Sequence, residues 1–143
     1  MKDDLSQVVL FMLDQTNKLA KQYSQKELDK RGAGITVDQW VLLKVIEADP
    51  GLSQRDLAEK SIKDPASITR MLDLLEKKGL IQREAIEGNR RQYMITVSKE
   101  GQKFINKHMD MVQSHRAKSL EGFSKKEVGK LKDMLLRIQG NMV

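Results

Sequence analysis

The feature that most constrains this chain is a pair of helix-start signals followed by two short strand-like runs. Ser53 opens the first helix, and Asp64-Pro65 opens the second. Aspartate is a favoured N-cap, and proline is tolerated at the first helical position because its missing amide would have no partner there. The apolar spacing after Pro65 indicates a helix that stops at Lys78-Gly79. The pattern therefore predicts two helices joined by a short turn.

Two runs that favour strands, Leu80 to Arg83 and Gln92 to Val97, follow the second helix. Apolar and polar residues alternate in the second run, which is typical of a half-buried strand. Glu87-Gly88-Asn89-Arg90 lies between the runs and is predicted to form the hairpin tip, since glycine and asparagine permit a tight turn. Two helices followed by a hairpin make a winged helix-turn-helix, whose second helix enters the major groove of DNA.

Longer helical segments flank this central part. Apolar residues recur at helical spacing from residue 5 to 30, and Thr36 and Gln39 form a capping box for a helix that runs to about Ala48. Ser98 starts another long helix, and a capping box at Ser124 opens the last one. The predicted fold class is mainly α (α+β). We expect one domain over 1–143, a winged helix-turn-helix at 33–97, and dimerisation helices at 1–31 and 99–143.

The outward face of the second helix carries side chains suited to duplex DNA. Arg70 has the forked geometry that binds guanine or phosphate, and Ala66 is small enough to approach a thymine methyl. Ser67 and Thr69 can donate to a phosphate or accept from a base. An ordinary solvated helix face is the alternative interpretation.

The start of the supporting helix and the wing complete the candidate interface. Ser53 could hold a backbone phosphate at a helix N-terminus, or could act only as a cap. Arginines on a projecting hairpin can enter a narrow minor groove, although they can also serve solubility alone. The candidate DNA-binding residues are Ser53, Gln54, Pro65, Ala66, Ser67, Thr69, Arg70, Asn89, Arg90 and Arg91.

The composition narrows the possible functions. A net charge of +6 favours polyanionic partners, and 4% aromatic residues argue against stacking platforms for single strands. The absence of cysteine excludes thiol chemistry, and two histidines, His108 and His115, are too few for a metal site, so no cofactor or metal is expected. No apolar run is long enough to span a membrane, and the first residues lack a signal-peptide pattern. We therefore expect a cytoplasmic protein.

At this point the sequence resembles the MarR family of bacterial regulators. The resemblance covers nearly the whole chain and is carried by Leu52 to Ala58, Ile68 to Ile81, Asn89-Arg90-Arg91 and Ile95 to Gly101. It implies a transcriptional regulator in which Arg91 probes the minor groove. The family places an aspartate where Asn89 stands here, so the ion pair of that aspartate is replaced by a hydrogen bond at most.

The resemblance also implies a homodimer built from the first and last helices, which would recognise a pseudo-palindromic operator. The two ends of the chain each carry an apolar stripe that fits a twofold contact, although packing within one chain is the alternative. The candidate dimerisation residues are Leu5, Val8, Met12, Leu131, Leu135 and Ile138.

The predicted function is a repressor released by a small effector, with phenolic or aromatic acids as candidates. The effector pocket is expected at Trp40 and parts of the first and fifth helices. A winged-helix module that binds proteins without touching DNA is the alternative. An enzyme is not expected, because paired carboxylates, a phosphate loop and a nucleophile elbow are all missing from the sequence.

Overall fold

The computed structural model describes residues 2–143, apart from the side chains of residues 89–92. Within that range, six α-helices and three short strands follow a 3-10 turn at Leu5–Gln7. The elements are α1 (Val9–Lys30), α2 (Val37–Ala48), β1 (Leu52–Ser53), α3 (Gln54–Ser61), α4 (Pro65–Lys77), β2 (Ile81–Ile86), β3 (Asn89–Val97), α5 (Lys99–Ser119) and α6 (Lys125–Asn141). The chain divides into two compact units, 1–109 and 110–143, and α5 runs through the division.

The core of the first unit lies among α2, α3, α4 and the sheet. The side chains of Leu43, Ile46, Leu57 and Ile68 are fully buried there, as is Ile95 of β3. On α4 the buried positions follow helical spacing, so one apolar stripe of that helix faces the core and the opposite face stays in solvent. The core therefore fixes which side of α4 is presented outwards.

The local start signals of the helices are confirmed. The hydroxyl of Thr36 accepts the amide of Gln39, whose side chain accepts the Thr36 amide in return. Asp64 caps α4 with Pro65 in its first turn, and Ser124 forms the capping box of α6. These signals act within one helical turn, so the sequence alone places them correctly.

The first helix is shorter than predicted. The apolar spacing predicted a helix over residues 5 to 30, but Val8 is extended at φ −85° and ψ 120° and separates the 3-10 turn from α1. Asp4 accepts the amide of Ser6 and stabilises that separate turn. A local cap of this kind offers the backbone an alternative to helix continuation.

The sheet is larger than the predicted hairpin. Its strands run in the order β1-β3-β2, with β3 at the centre, and β1 pairs with β3 through Leu52↔Ile95 and Ser53↔Met94. The predicted hairpin tip at 87–90 is wrong by two residues, because β2 extends to Ile86 and β3 begins at Asn89. Gly88 takes a positive φ of 79°, which suits the tight turn between the strands.

The junction between the sheet and α5 is tightly packed. Ser98 accepts the amide of Gly101 at 2.9 Å and donates its hydroxyl hydrogen to the carbonyl of Gly79 at 2.5 Å. A Cβ on Gly101 would lie 2.0 Å from the carbonyl oxygen of Leu80, so only glycine fits at this position. The end of α4 and the start of α5 are therefore held together by backbone contact.

The second unit contains the end of α5 and all of α6. Met111 on α5 is buried, whereas none of the described residues of α6 is. The candidate dimerisation residues Leu131, Leu135 and Ile138 are partly exposed on α6.

Candidate nucleic-acid interface

The first turn of α4 presents a short chain of hydrogen-bonded polar side chains. The Asp64 carboxylate accepts the amide of Ser67 at 2.9 Å and its hydroxyl at 2.6 Å. Arg70 Nη2 in turn donates to the hydroxyl oxygen of Ser67 at 3.2 Å. The hydrogen bonds from Ser67 lower the pKa of the Asp64 carboxyl, and the nearby Arg70 charge adds to the effect. The guanidinium of Arg70 is therefore held over the exposed start of α4.

Thr69 links α4 to the supporting helix. Its hydroxyl donates to the carbonyl of Pro65 at 2.9 Å and accepts from Gln54 Nε2 at 2.5 Å. The sequence predicted that Ser67 and Thr69 could donate to phosphate, but in this structure both hydroxyl hydrogens are already used within the chain. The two residues therefore act first on the geometry of α4, and Gln54 sets the orientation of Thr69.

The exposed and buried faces of α4 follow the expected division. Pro65, Ala66 and Arg70 are exposed, while Ser67 and Thr69 are half-buried. Ile68, Leu72 and Leu75 form the buried face. The residues expected at DNA thus lie together on one side of the helix start.

Ser53 is built as a buried cap. Its side chain accepts the amide of Asp56 at 3.1 Å, and Asp56 accepts the amide of Ser53 at 3.3 Å. Ser53 is only 9% exposed, so its hydroxyl faces the protein rather than solvent. Of the two alternatives left open by the sequence, capping is the one that the geometry displays.

The wing carries the remaining candidates. The backbones of Asn89, Arg90 and Arg91 belong to β3, while their side chains lie outside the described part of the structure. The pairing changes register here, from Ala85↔Tyr93 to Ile86↔Asn89. Residues 90–92 therefore lie between two paired positions, as extra residues on the longer strand.

Sequence reasoning missed an ion-pair cluster between α4 and the wing. Arg83 Nη1 of β2 lies 2.8 Å from Asp73 Oδ1 and 3.4 Å from Glu76 Oε1, both on α4. The acids are three positions apart and so share one side of the helix. That spacing was visible in the sequence, but its partner across the hairpin was not.

A second missed feature is Ile62 in the turn between α3 and α4. It takes a left-handed conformation with φ 51° and ψ 46°, and its side chain is 92% exposed. A β-branched residue is strained in that conformation. No sequence rule places an isoleucine there.

Trp40 lies in an aromatic cluster. The ring centroids of Trp40 and Phe104 of α5 are 6.2 Å apart, and those of Phe104 and His108 are 4.6 Å apart. Trp40 Nε1 and His108 Nδ1 are buried and have no hydrogen-bond partner among the described residues. Burial and the charges of Arg31 and Lys107 lower the pKa of His108.

An open cleft lies between α1 and the start of α2, with a volume of about 220 Å³. Trp40 does not line it. In the part of the chain that the structure describes, no group of three or more histidine or acidic side chains could hold a metal ion. No described helix is long and apolar enough to cross a membrane.

Comparison with known proteins finds solved structures that share this fold. A family model described as the MarR family matches residues 35–93. The solved transcriptional regulator SlyA aligns with a TM-score of 0.85 at 23% identity, over 94% of each chain. A MarR-family transcriptional regulator from Rhodococcus sp. RHA1 aligns with a TM-score of 0.81 at 25% identity, over 96% of each chain. A mutant MarR from E. coli, complexed with operator DNA, aligns with a TM-score of 0.83 at 19% identity, over 96% of this chain and 99% of that one.

Proposed function

We propose that the chain is a member of the MarR family, whose model matches residues 35–93, and that it is a transcriptional regulator that binds duplex DNA in a sequence-specific manner. The observation that carries the proposal is the start of α4, where Arg70 is exposed and tethered through Ser67 to the capping carboxylate of Asp64. The E. coli MarR neighbour was solved with operator DNA, which supports the same role for this fold. No catalytic activity is proposed.

In the proposed complex, residues 33–97 contact the DNA. The start of α4 enters the major groove, where Arg70 and Ala66 reach base edges, and Pro65 lets the helix begin close to the DNA. Gln54 supports this face through its hydrogen bond to Thr69. Arg90 and Arg91 approach the minor groove from the wing, with Asn89 at the start of their strand.

We propose that the protein acts as a homodimer in the cytoplasm and recognises a pseudo-palindrome. Residues 1–31 and 99–143 would supply the contact, through Leu5, Val8 and Met12 at one end of the chain and Leu131, Leu135 and Ile138 at the other. Leu5 is 49% and Met12 51% exposed, which a monomer would leave in water. Twofold symmetry would set the two α4 helices about 34 Å apart, one turn of DNA.

A small phenolic or aromatic acid is the proposed effector. Its entry near Trp40 would require a change in the packing of Phe104, because Trp40 is only 4% exposed. An effector shifts the equilibrium between two dimer shapes only by its difference in affinity for them. A thermal-shift screen, followed by operator titration, tests this; a screen in which no acid alters operator affinity would favour a constitutive regulator.

In vitro selection of bound duplexes from a random pool tests DNA binding directly. We expect enrichment of two inverted half-sites whose centres lie about one helical turn apart. Log affinity for a selected duplex should fall steeply with log salt, because each neutralised phosphate releases counterions. No enrichment, or a flat salt titration, would instead favour the alternative of a protein-interaction module.

Single substitutions then identify the contacts. Arg70→Ala and Arg91→Ala should each weaken binding to a selected duplex by about 1–3 kcal/mol without lowering the unfolding midpoint. Lys103→Met is the matched control, since Lys103 is 77% exposed and pairs with Glu100 on α5. A gel-shift titration with unchanged affinity would remove the substituted arginine from the interface.

A further inference from the structure

The cluster of Arg83, Asp73 and Glu76 joins two elements that the proposed function uses separately. Arg83 lies on β2, at the base of the wing, and its side chain is 15% exposed. Asp73 and Glu76 lie on α4 and are 61% and 46% exposed. One nitrogen of Arg83, Nη1, contacts both carboxylates. The contact therefore ties the wing strand to the recognition helix.

The burial of Arg83 makes these two carboxylates important. Its Nε and Nη2 atoms are buried and have no hydrogen-bond partner among the described residues. A buried charge is costly unless it is paired, and leaving one partner alone is costlier than never burying the pair. Asp73 and Glu76 are thus the groups that hold Arg83 in its place against α4.

The charges of the two acids run against the proposed function. A carboxylate on the helix that enters the groove repels phosphate, so electrostatics alone would favour a neutral residue at Asp73. Both acids instead face an arginine of the neighbouring strand. This arrangement suits a mechanical role better than a DNA contact.

We infer that Arg83 is a positioning residue, which holds the wing against α4 through Asp73 and Glu76. In this arrangement Arg70 of α4 and Arg91 of the wing contact the same duplex. The inference rests on the proposed DNA-binding function. Arg83 itself touches no base in this account. It acts by limiting the orientations that the wing takes relative to the helix, which lowers the ordering cost of binding.

The sign of one charge-neutralising variant tests the inference. Asp73→Asn combined with Glu76→Gln removes two negative charges beside the DNA-binding helix. Electrostatics alone predicts tighter binding to a selected duplex of 30 base pairs, whereas release of the wing predicts binding weaker by about tenfold, or 1.4 kcal/mol. The matched control is Asp14→Asn combined with Glu100→Gln, because both acids belong to exposed ion pairs and neither is among the candidate DNA-binding or dimerisation residues. The control should stay within about twofold of wild type.

A double-mutant cycle separates positioning from loss of stability. Once Arg91→Ala has removed the wing contact, the double acid variant should cost much less than in wild type, because the two effects act through one element. Arg83→Met should resemble the double variant, and Arg83→Lys should recover part of the affinity. Unfolding midpoints identify any variant that fails to fold.

Three outcomes are distinguishable. Weaker binding with a non-additive cycle supports the inference. Unchanged or tighter binding by the double acid variant, or full additivity with Arg91→Ala, overturns it while leaving DNA binding intact. If the selection enriches no duplex that the wild-type protein binds, both the proposed function and this inference are refuted.

Discussion

Helices α4 and α1 use their apolar residues in opposite ways. On α4 the side chains of Ile68, Leu72 and Leu75 are completely buried within the chain. Of the described residues of α1, Leu28 near its end is the one that is buried, while Leu10 is 56% exposed. The shorter helix is thus built into a core, and most of the longer one is not.

The difference separates two sources of stability. Burial of apolar area stabilises folding by about 25 cal/mol for each Å² removed from water, so α4 contributes to a single chain without a partner. The exposed apolar residues of α1 contribute little until something covers them. Several large apolar side chains are exposed on this one helix, among them Val9, Leu10, Met12 and Leu19, which supports the proposed subunit contact.

The largest expected effect comes from a substitution on the buried face of α4. Leu72→Ala should lower the free energy of unfolding by about 2–5 kcal/mol, because it removes the packing of Cγ and both Cδ atoms and leaves a cavity. Chemical denaturation measures this loss. The matched control is Leu74→Ala on the same helix, where the side chain is 44% exposed and the loss should be below about 1 kcal/mol.

Equal losses at the two leucines would contradict the assignment of faces on α4. The loss at Leu72 should also be independent of protein concentration, provided that the measurement follows the winged part. A strong concentration dependence of that loss would place α4 in the subunit contact instead.

A smaller effect is expected on the exposed side. Met12→Asp introduces a charge at a candidate dimer position and should destabilise the assembly by about 1–3 kcal/mol. The wild-type melting temperature should rise with protein concentration, as it does when association is linked to folding, and that rise should disappear in the variant. Asn17→Asp adds the same charge at an exposed position on another face of α1 and should retain the rise. A wild-type melting temperature that ignores concentration would refute the proposed dimer.

The sequence predicted those parts of the fold that depend on neighbours within one helical turn. The caps at Thr36, Asp64 and Ser124 are of this kind, and so is the apolar stripe of α4. They need no knowledge of the rest of the chain, because a side chain three residues away completes the hydrogen bond.

The sequence did not predict features that a distant segment creates. Strand β1 has two residues and exists only through its pairing with β3. The strands of the wing extend through Glu84 to Ile86 because each supplies the partner of the other, although Glu84 and Ala85 are poor strand formers. In the candidate site, the hydrogen bonds from Gln54 to Thr69 and from Arg83 to Asp73 form only when the helices and sheet have packed.

The smallest expected effect concerns pH and falls on the buried side of the comparison. His108 is 2% exposed, and burial together with the Arg31 and Lys107 charges holds its pKa below the ordinary value of 6.5. As the pH falls through 6.5, His108 therefore becomes protonated in the unfolded chain but stays neutral in the folded chain. Stability should be full above that value and should fall as the pH drops below it.

The titration of three acids with lowered pKa values, Asp38, Glu47 and Asp64, must be separated from that of His108. The pKa of Asp38 is lowered from 3.8, chiefly by its hydrogen bond with Lys21, and that of Glu47 from 4.5, chiefly by its hydrogen bond with Lys44. Carboxyls with lowered pKa values stabilise the fold above their unfolded values and lose that contribution only in more acidic solution. Urea denaturation between about pH 5 and 7.5 therefore reports mainly on histidine. His108→Phe keeps an aromatic ring beside Phe104 and should flatten the dependence, whereas an equal slope in both proteins would mean that His108 accepts its proton without cost to the fold.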